Sequence, residues 1–193
     1  MTKYQNKYRI ESIRLPNYDY SQPGAYFITI CTHNKIHYFG EITNGKMQLN
    51  KFGKIVEEEW LKTPMIRPDM NLILDEYIIM PNHFHSIIII NENEINTRRG
   101  TMHCASTNCV STTNCVSTNQ FGRQSKNLGS IVRGFKSACT KQINILRPAT
   151  IPPIWQRNYY EHIIRNEKSL SEIRNYIQNN PLNWEHDEYY IHS

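Results

Sequence analysis

Met80-Pro81-Asn82-His83-Phe84-His85-Ser86-Ile87-Ile88-Ile89-Ile90 decides how this chain is read. The isoleucine run is β-branched and too short for an ordinary helix, so it predicts a buried strand. Successive side chains on a strand point to opposite faces, which places His83 and His85 together and Phe84 behind them. Two imidazoles on one face of a rigid strand can grip a cation. They can equally be hydrogen-bonded strand residues with no chemical role, and the pattern alone leaves both readings standing.

A second cluster lies near the C-terminus, in Arg174-Asn175-Tyr176-Ile177-Gln178-Asn179-Asn180-Pro181. Ser169-Leu170-Ser171-Glu172 has the spacing of a capping box and marks a helix start, within a tyrosine-bearing helical segment over 166–181. Leu170, Ile173 and Ile177 form its apolar stripe. Tyr176 and Asn180 are four apart and share one flank beside that stripe. Pro181 disfavours helix at Asn180 and closes the element. A phenol and an amide oxygen thus project together, or else a half-buried tyrosine is followed by an asparagine cap.

Outward from these two clusters the pattern is mixed α and β. A strand is expected at Ala25–Thr32, and Glu41–Leu49 reads as a hairpin around Asn44-Gly45. Phe52, Ile55, Val56 and Trp60 mark a first helix, and Leu128, Ile131, Val132, Phe135 and Cys139 a second. Asn71–Met80 and Phe84–Ile90 supply two further strands. Residues 1–23 are polar and tyrosine-rich, an expected N-terminal arm.

With 193 residues and 39% hydrophobic content, one core and one domain are expected. No apolar run reaches the roughly 20 residues of a membrane span, and no signal-peptide core follows Met1, so a cytoplasmic protein with reduced cysteines and no membrane partner is expected. The net charge of +5 is unevenly spread. Between Gln120 and Arg165 eight basic residues face one acidic residue, a local +7 that leaves −2 for the remainder. Basic residues there alternate with Phe135, Trp155, Tyr159 and Tyr160, the composition of a groove that stacks bases and holds phosphates. No G-x-x-x-x-G-K-[ST] loop is present, as expected of chemistry that spends no nucleotide.

Taken in order and spacing, these segments resemble the HUH single-tyrosine transposases, and most closely the REP-associated tyrosine transposases. The resemblance runs through Gly24–Ile30, Glu76–His85, Gly129–Ser137, Ile154–Asn166 and Tyr176–Pro181, nearly the whole chain. It implies an α/β (α+β) fold in a single domain, with a central antiparallel sheet like an RNA-recognition-motif palm and helices on one face. It also implies His83 and His85 as metal ligands, Tyr176 as nucleophile, Asn180 as a third ligand, and Mg²⁺ or Mn²⁺ as cofactor. DNA contacts are expected from Arg133, Lys136, Trp155, Arg157, Tyr159 and Arg165. The implied partner is single-stranded or hairpin DNA, and the implied state a monomer or homodimer. The implied activity is nicking and rejoining of single strands near small palindromes through a 5′-phosphotyrosine. The alternative is a hairpin-binding protein of the same fold without catalysis.

One stretch departs from that pattern. Cys104 to Asn119 repeats Asn-Cys-Val-Ser-Thr, within a polar segment from Asn91 to about Lys126. Its cysteines lack any C-x₂-C pair, so a low-complexity loop is expected rather than a zinc site. Replacing residues 103–119 with a short Gly/Ser linker should leave folding and cleavage nearly unchanged, since loop closure costs only about 0.6 kcal/mol per doubling of length. Elemental analysis checks this: one zinc per chain that vanishes with Cys104, Cys109 and Cys115 would overturn it.

Overall fold

The computed structural model describes residues 15, 18–94, 96–97, 126–147 and 152–190. The cysteine repeat and most of the expected N-terminal arm lie outside them. At the end of that arm Tyr18 packs edge-on against Tyr20 and Tyr26, Tyr20 lies tilted on Tyr26, and the Tyr20 carbonyl accepts from Leu128 N.

Among the described residues six strands and four α-helices follow in order. They are β1 (Gly24–Cys31), β2 (Gly40–Thr43), β3 (Lys46–Leu49), α1 (Lys51–Leu61), α2 (Thr63–Ile66), β4 (Leu72–Ile79), β5 (His83–Ile90), α3 (Leu128–Leu146), β6 (Tyr160–Ile164) and α4 (Glu167–Asn179). Four strands form one antiparallel sheet in the order β4-β5-β1-β6. The β2-β3 hairpin is separate and turns at Asn44 and Gly45, both at positive φ (52° and 67°), the conformation an Asn-Gly turn supplies. Among the described residues no helix is long and apolar enough to cross a membrane.

Alternation along the central strands sorts the core into two clusters. Tyr26, Ile28 and Ile30 of β1 and Phe84, Ile88 and Ile90 of β5 face α1 and α3, where they meet Val56, Trp60, Val132, Phe135 and Cys139. Phe27 and Ile87 face the opposite way and meet Ile164, Leu170 and Ile177. The helices therefore do not share one face as expected: α1 and α3 cover one side, and α4 crosses the other. This two-sided burial is why Ile87–Ile90 is uninterrupted rather than alternating.

Three local readings are revised. Tyr160–Ile164 is a strand the sequence pattern did not signal, because Glu161 and His162 break its apolar alternation. The tyrosine helix starts at Glu167, not at Ser169, because the Asn166 side chain accepts from Ser169 N (2.8 Å) and caps it. Asn180 keeps helical dihedrals (φ −58°, ψ −42°) despite Pro181, because Asn183 N continues the turn onto the Asn179 carbonyl (3.2 Å). Cys139 is fully buried, while Cys31 is only half-buried.

Candidate active site

β5 places its histidines as the period-2 argument requires. Phe84 packs on Trp60 and Phe135 in the main core, while His83 and His85 point to the α4 side, both essentially inaccessible, with rings 4.5 Å apart. Asn82 sets the tautomer of His83. Its amide nitrogen donates to the carbonyls of Lys35 (3.1 Å) and Tyr189 (2.8 Å), so its oxygen faces His83 Nδ1 at 2.9 Å. Nδ1 must then carry the proton, which leaves a lone pair on Nε2. Thr29 Oγ1 holds His85 Nδ1 at 2.8 Å, directing Nε2 into the cleft. Burial drives the proton off both rings: His83 is pushed down to about 3, and His85 well below its ordinary value, with His83 adding to the effect. Two neutral imidazoles with outer partners on Nδ1 are the form that ligates a metal.

α4 brings its flank to the same place. Tyr176 Oη lies 3.2 Å from His85 Nε2, and its ring is edge-on to Phe27. The ring is 42% exposed and open to a cleft of about 660 Å³. Burial, then the carboxylates of Asp187 and Glu188, push the Tyr176 phenol up to about 12, so activation must come from what binds there. Asn180 is buried, and its Nδ2 donates to Asp187 Oδ2 at 2.8 Å. Its Oδ1 and His83 Nε2 have no hydrogen-bond partner among the described residues, although the amide is near enough to temper the depression of His83. A buried lone pair without a donor is costly unless something else fills its role.

Asp187 completes the group, and the sequence reading missed it. A 3-10 turn at Trp184–His186 swings the chain back over the histidines, where Tyr189 packs 4.7 Å from the His83 ring. Ligand atoms of His83, His85 and Asp187 all fall within 4.8 Å of one another. Nothing in Trp184-Glu185-His186-Asp187-Glu188 distinguishes Asp187 from its acidic neighbour by spacing. Two imidazoles, one amide oxygen and one carboxylate fit a divalent ion that accepts mixed nitrogen and oxygen donors.

A bulge in β4 between Leu74 and Tyr77 presents Asp75 and Glu76 to the tyrosine helix. Arg174 binds the Asp75 carboxylate through two N–H groups, the Nε contact at 2.9 Å, and Gln178 Nε2 donates to Glu76 at 3.0 Å. The Arg174 guanidinium holds the Asp75 carboxyl below its usual range.

The residues expected to contact DNA are scattered. Arg133 is exposed on α3, in the helical layer on the far side of the sheet from the histidines. Lys136 spends its ammonium on the carbonyls of Gln156 (2.6 Å) and Asn158 (3.0 Å). Trp155 is 7% exposed between Phe39 and Phe135, so its ring is committed to the core and offers no face to a base. Tyr159 is half-buried against the same core. Arg157 and Arg165 are exposed at the two ends of β6.

No family model matches the chain. A Haemophilus influenzae protein of uncharacterized function is 44% identical over 180 residues, 93% of this chain and 92% of that one. Among solved structures, a REP-associated tyrosine transposase bound to a REP hairpin aligns over 95% of this chain and 74% of its own, at 18% identity and a TM-score of 0.53. The chain belongs to the family of the Haemophilus protein and has the fold of the HUH tyrosine transposases.

Proposed function

We propose that this protein is a divalent-metal-dependent transposase that nicks and rejoins single-stranded DNA near small palindromes or hairpins, with Tyr176 as nucleophile. The observation that supports it is the convergence of the Tyr176 phenol, two neutral imidazoles, Asn180 Oδ1 and Asp187 at one end of a cleft open to solvent. The hairpin carried by the structural neighbour agrees with that substrate class.

The chemistry suits the residues. Tyr176 Oη attacks phosphorus, the bond to the 3′ oxygen breaks, the phenol proton is lost and the departing 3′ oxygen is protonated. The 5′ phosphate stays on the tyrosine, so bond energy is kept for rejoining to another 3′ hydroxyl. His83, His85, Asn180 and Asp187 would hold the ion, Mg²⁺ or Mn²⁺. When bound, it supplies positive charge that polarises the phosphoryl oxygen and favours the phenolate. Asn82 and Thr29 orient the two rings through their Nδ1 atoms, and Asp75 and Arg174 hold the tyrosine helix on its own sheet.

A hairpin oligonucleotide with single-stranded flanks should form a covalent protein adduct in Mn²⁺ that survives denaturing electrophoresis. EDTA should abolish it. Full cleavage in EDTA would sink the metal scheme, and tight hairpin binding without any adduct would leave the protein a DNA-binding factor of the same fold.

A further inference from the structure

We propose that Tyr160 is a stacking platform for an unpaired nucleobase flanking the phosphate at Tyr176, a role that rests on the single-strand reading above. Strand register carries the argument. Thr29 of β1 pairs with His85 of β5 on one side and with Tyr160 of β6 on the other. The three side chains therefore share one face and one row across the sheet, with Tyr160 two strand spacings, roughly 10 Å, from His85. Tyr160 is 41% exposed and lines the same cleft as Tyr176.

Its ring is also held. Phe27 lies edge-on to Tyr160 (6.4 Å, 69°) while stacking on His85 (5.3 Å, 24°), so an aromatic path runs from the histidines to Tyr160. A ring fixed on one side and open on the other gives a base a preformed surface, as aromatics on four-stranded sheets do for single strands. Among the described residues β6 is the edge of the sheet, with no further strand paired beyond it. His162 is exposed on the same face as Tyr160, and Arg157 and Arg165 bracket β6 with positive charge for the flanking phosphates. Of the other aromatics expected in this role, Trp155 is committed to the core and Tyr159 is half-buried against it.

Fluorescein-labelled (dT)20 carrying scattered 5-iododeoxyuridine tests this on the full chain, by anisotropy and by photocrosslinking with peptide mapping. Tyr160→Ala should weaken binding roughly tenfold to a hundredfold, the range for loss of one stacked base. The wild-type crosslink should map to Tyr160. Tyr160→Phe keeps the ring and should retain both affinity and crosslink. Wild-type affinity in a folded Tyr160→Ala variant would overturn the proposal, as would an equal loss in Tyr160→Phe, which would mean that the hydroxyl matters. Failure of the wild-type protein to bind (dT)20 at all would instead count against the single-strand reading on which it rests.

Discussion

Tyr176→Phe should eliminate the covalent DNA adduct while leaving hairpin binding and folding intact. The substitution removes one oxygen from a ring that is nearly half exposed, so little packing changes. The lost contact is a hydrogen bond to His85 Nε2, and its removal should cost about 1 kcal/mol of stability. Chemistry is affected far more, because the hydroxyl that takes the phosphoryl link is gone. Cleavage should fall by roughly four orders of magnitude or more. Single-turnover cleavage and denaturing gels read this directly. An undiminished adduct from the Phe variant would move the nucleophile elsewhere, with Tyr160 and Tyr189 the tyrosines that line the same cleft.

His83→Ala or His85→Ala should each reduce cleavage by a hundredfold or more, on the order expected when a member of a unit that acts together is removed. Each should also weaken Mn²⁺ binding, measured by calorimetry on the DNA-free protein. Both rings are buried, so Ala also leaves a cavity. His83→Gln and His85→Gln fill that space without imidazole and should lose metal affinity at near-wild-type stability. Asn180→Ala should do less, because a neutral amide is a weak donor that water can replace, and Asp187 remains. Asp187→Asn should fall between them: it removes the formal charge from the ligand group while keeping a partner for Tyr189 N. Unchanged Mn²⁺ affinity in both Gln variants would mean that the histidines serve only the fold. Asn82→Ala supplies a finer check, since without its oxygen the His83 tautomer is no longer imposed. A several-fold loss of metal affinity with the ligands themselves intact is expected.

Features that depend on local periodicity were legible in the amino-acid order. The isoleucine run made β5 a strand, and its period of two put His83 and His85 on one face with Phe84 behind them. The i, i+4 spacing put Tyr176 and Asn180 on one flank, and Asn44-Gly45 made a hairpin. Charge beside aromatics made the region 120–165 an expected nucleic-acid surface, yet did not say which rings were open. Trp155 and Tyr160 are both aromatic and both near arginines, and only packing separates them: one fills the space between Phe39 and Phe135, the other ends a row at a sheet edge.

Tertiary structure decided the rest. β6 is invisible to alternation because Glu161 and His162 sit in it, and it is a strand only because β1 offers a free edge. The side of the sheet that α4 covers follows from Ile177 and Leu170 meeting Phe27, Ile87 and Ile164, residues far away in sequence. The separation of 91 positions bridged between His85 and Tyr176, and the turn at Trp184–His186 that returns Asp187 to the histidines, leave no trace in any local pattern. Side-chain direction is a property of a residue and its immediate neighbours. Which distant group stands opposite it depends on how whole elements pack, and that is where the phenol, the imidazoles and the carboxylate become one site.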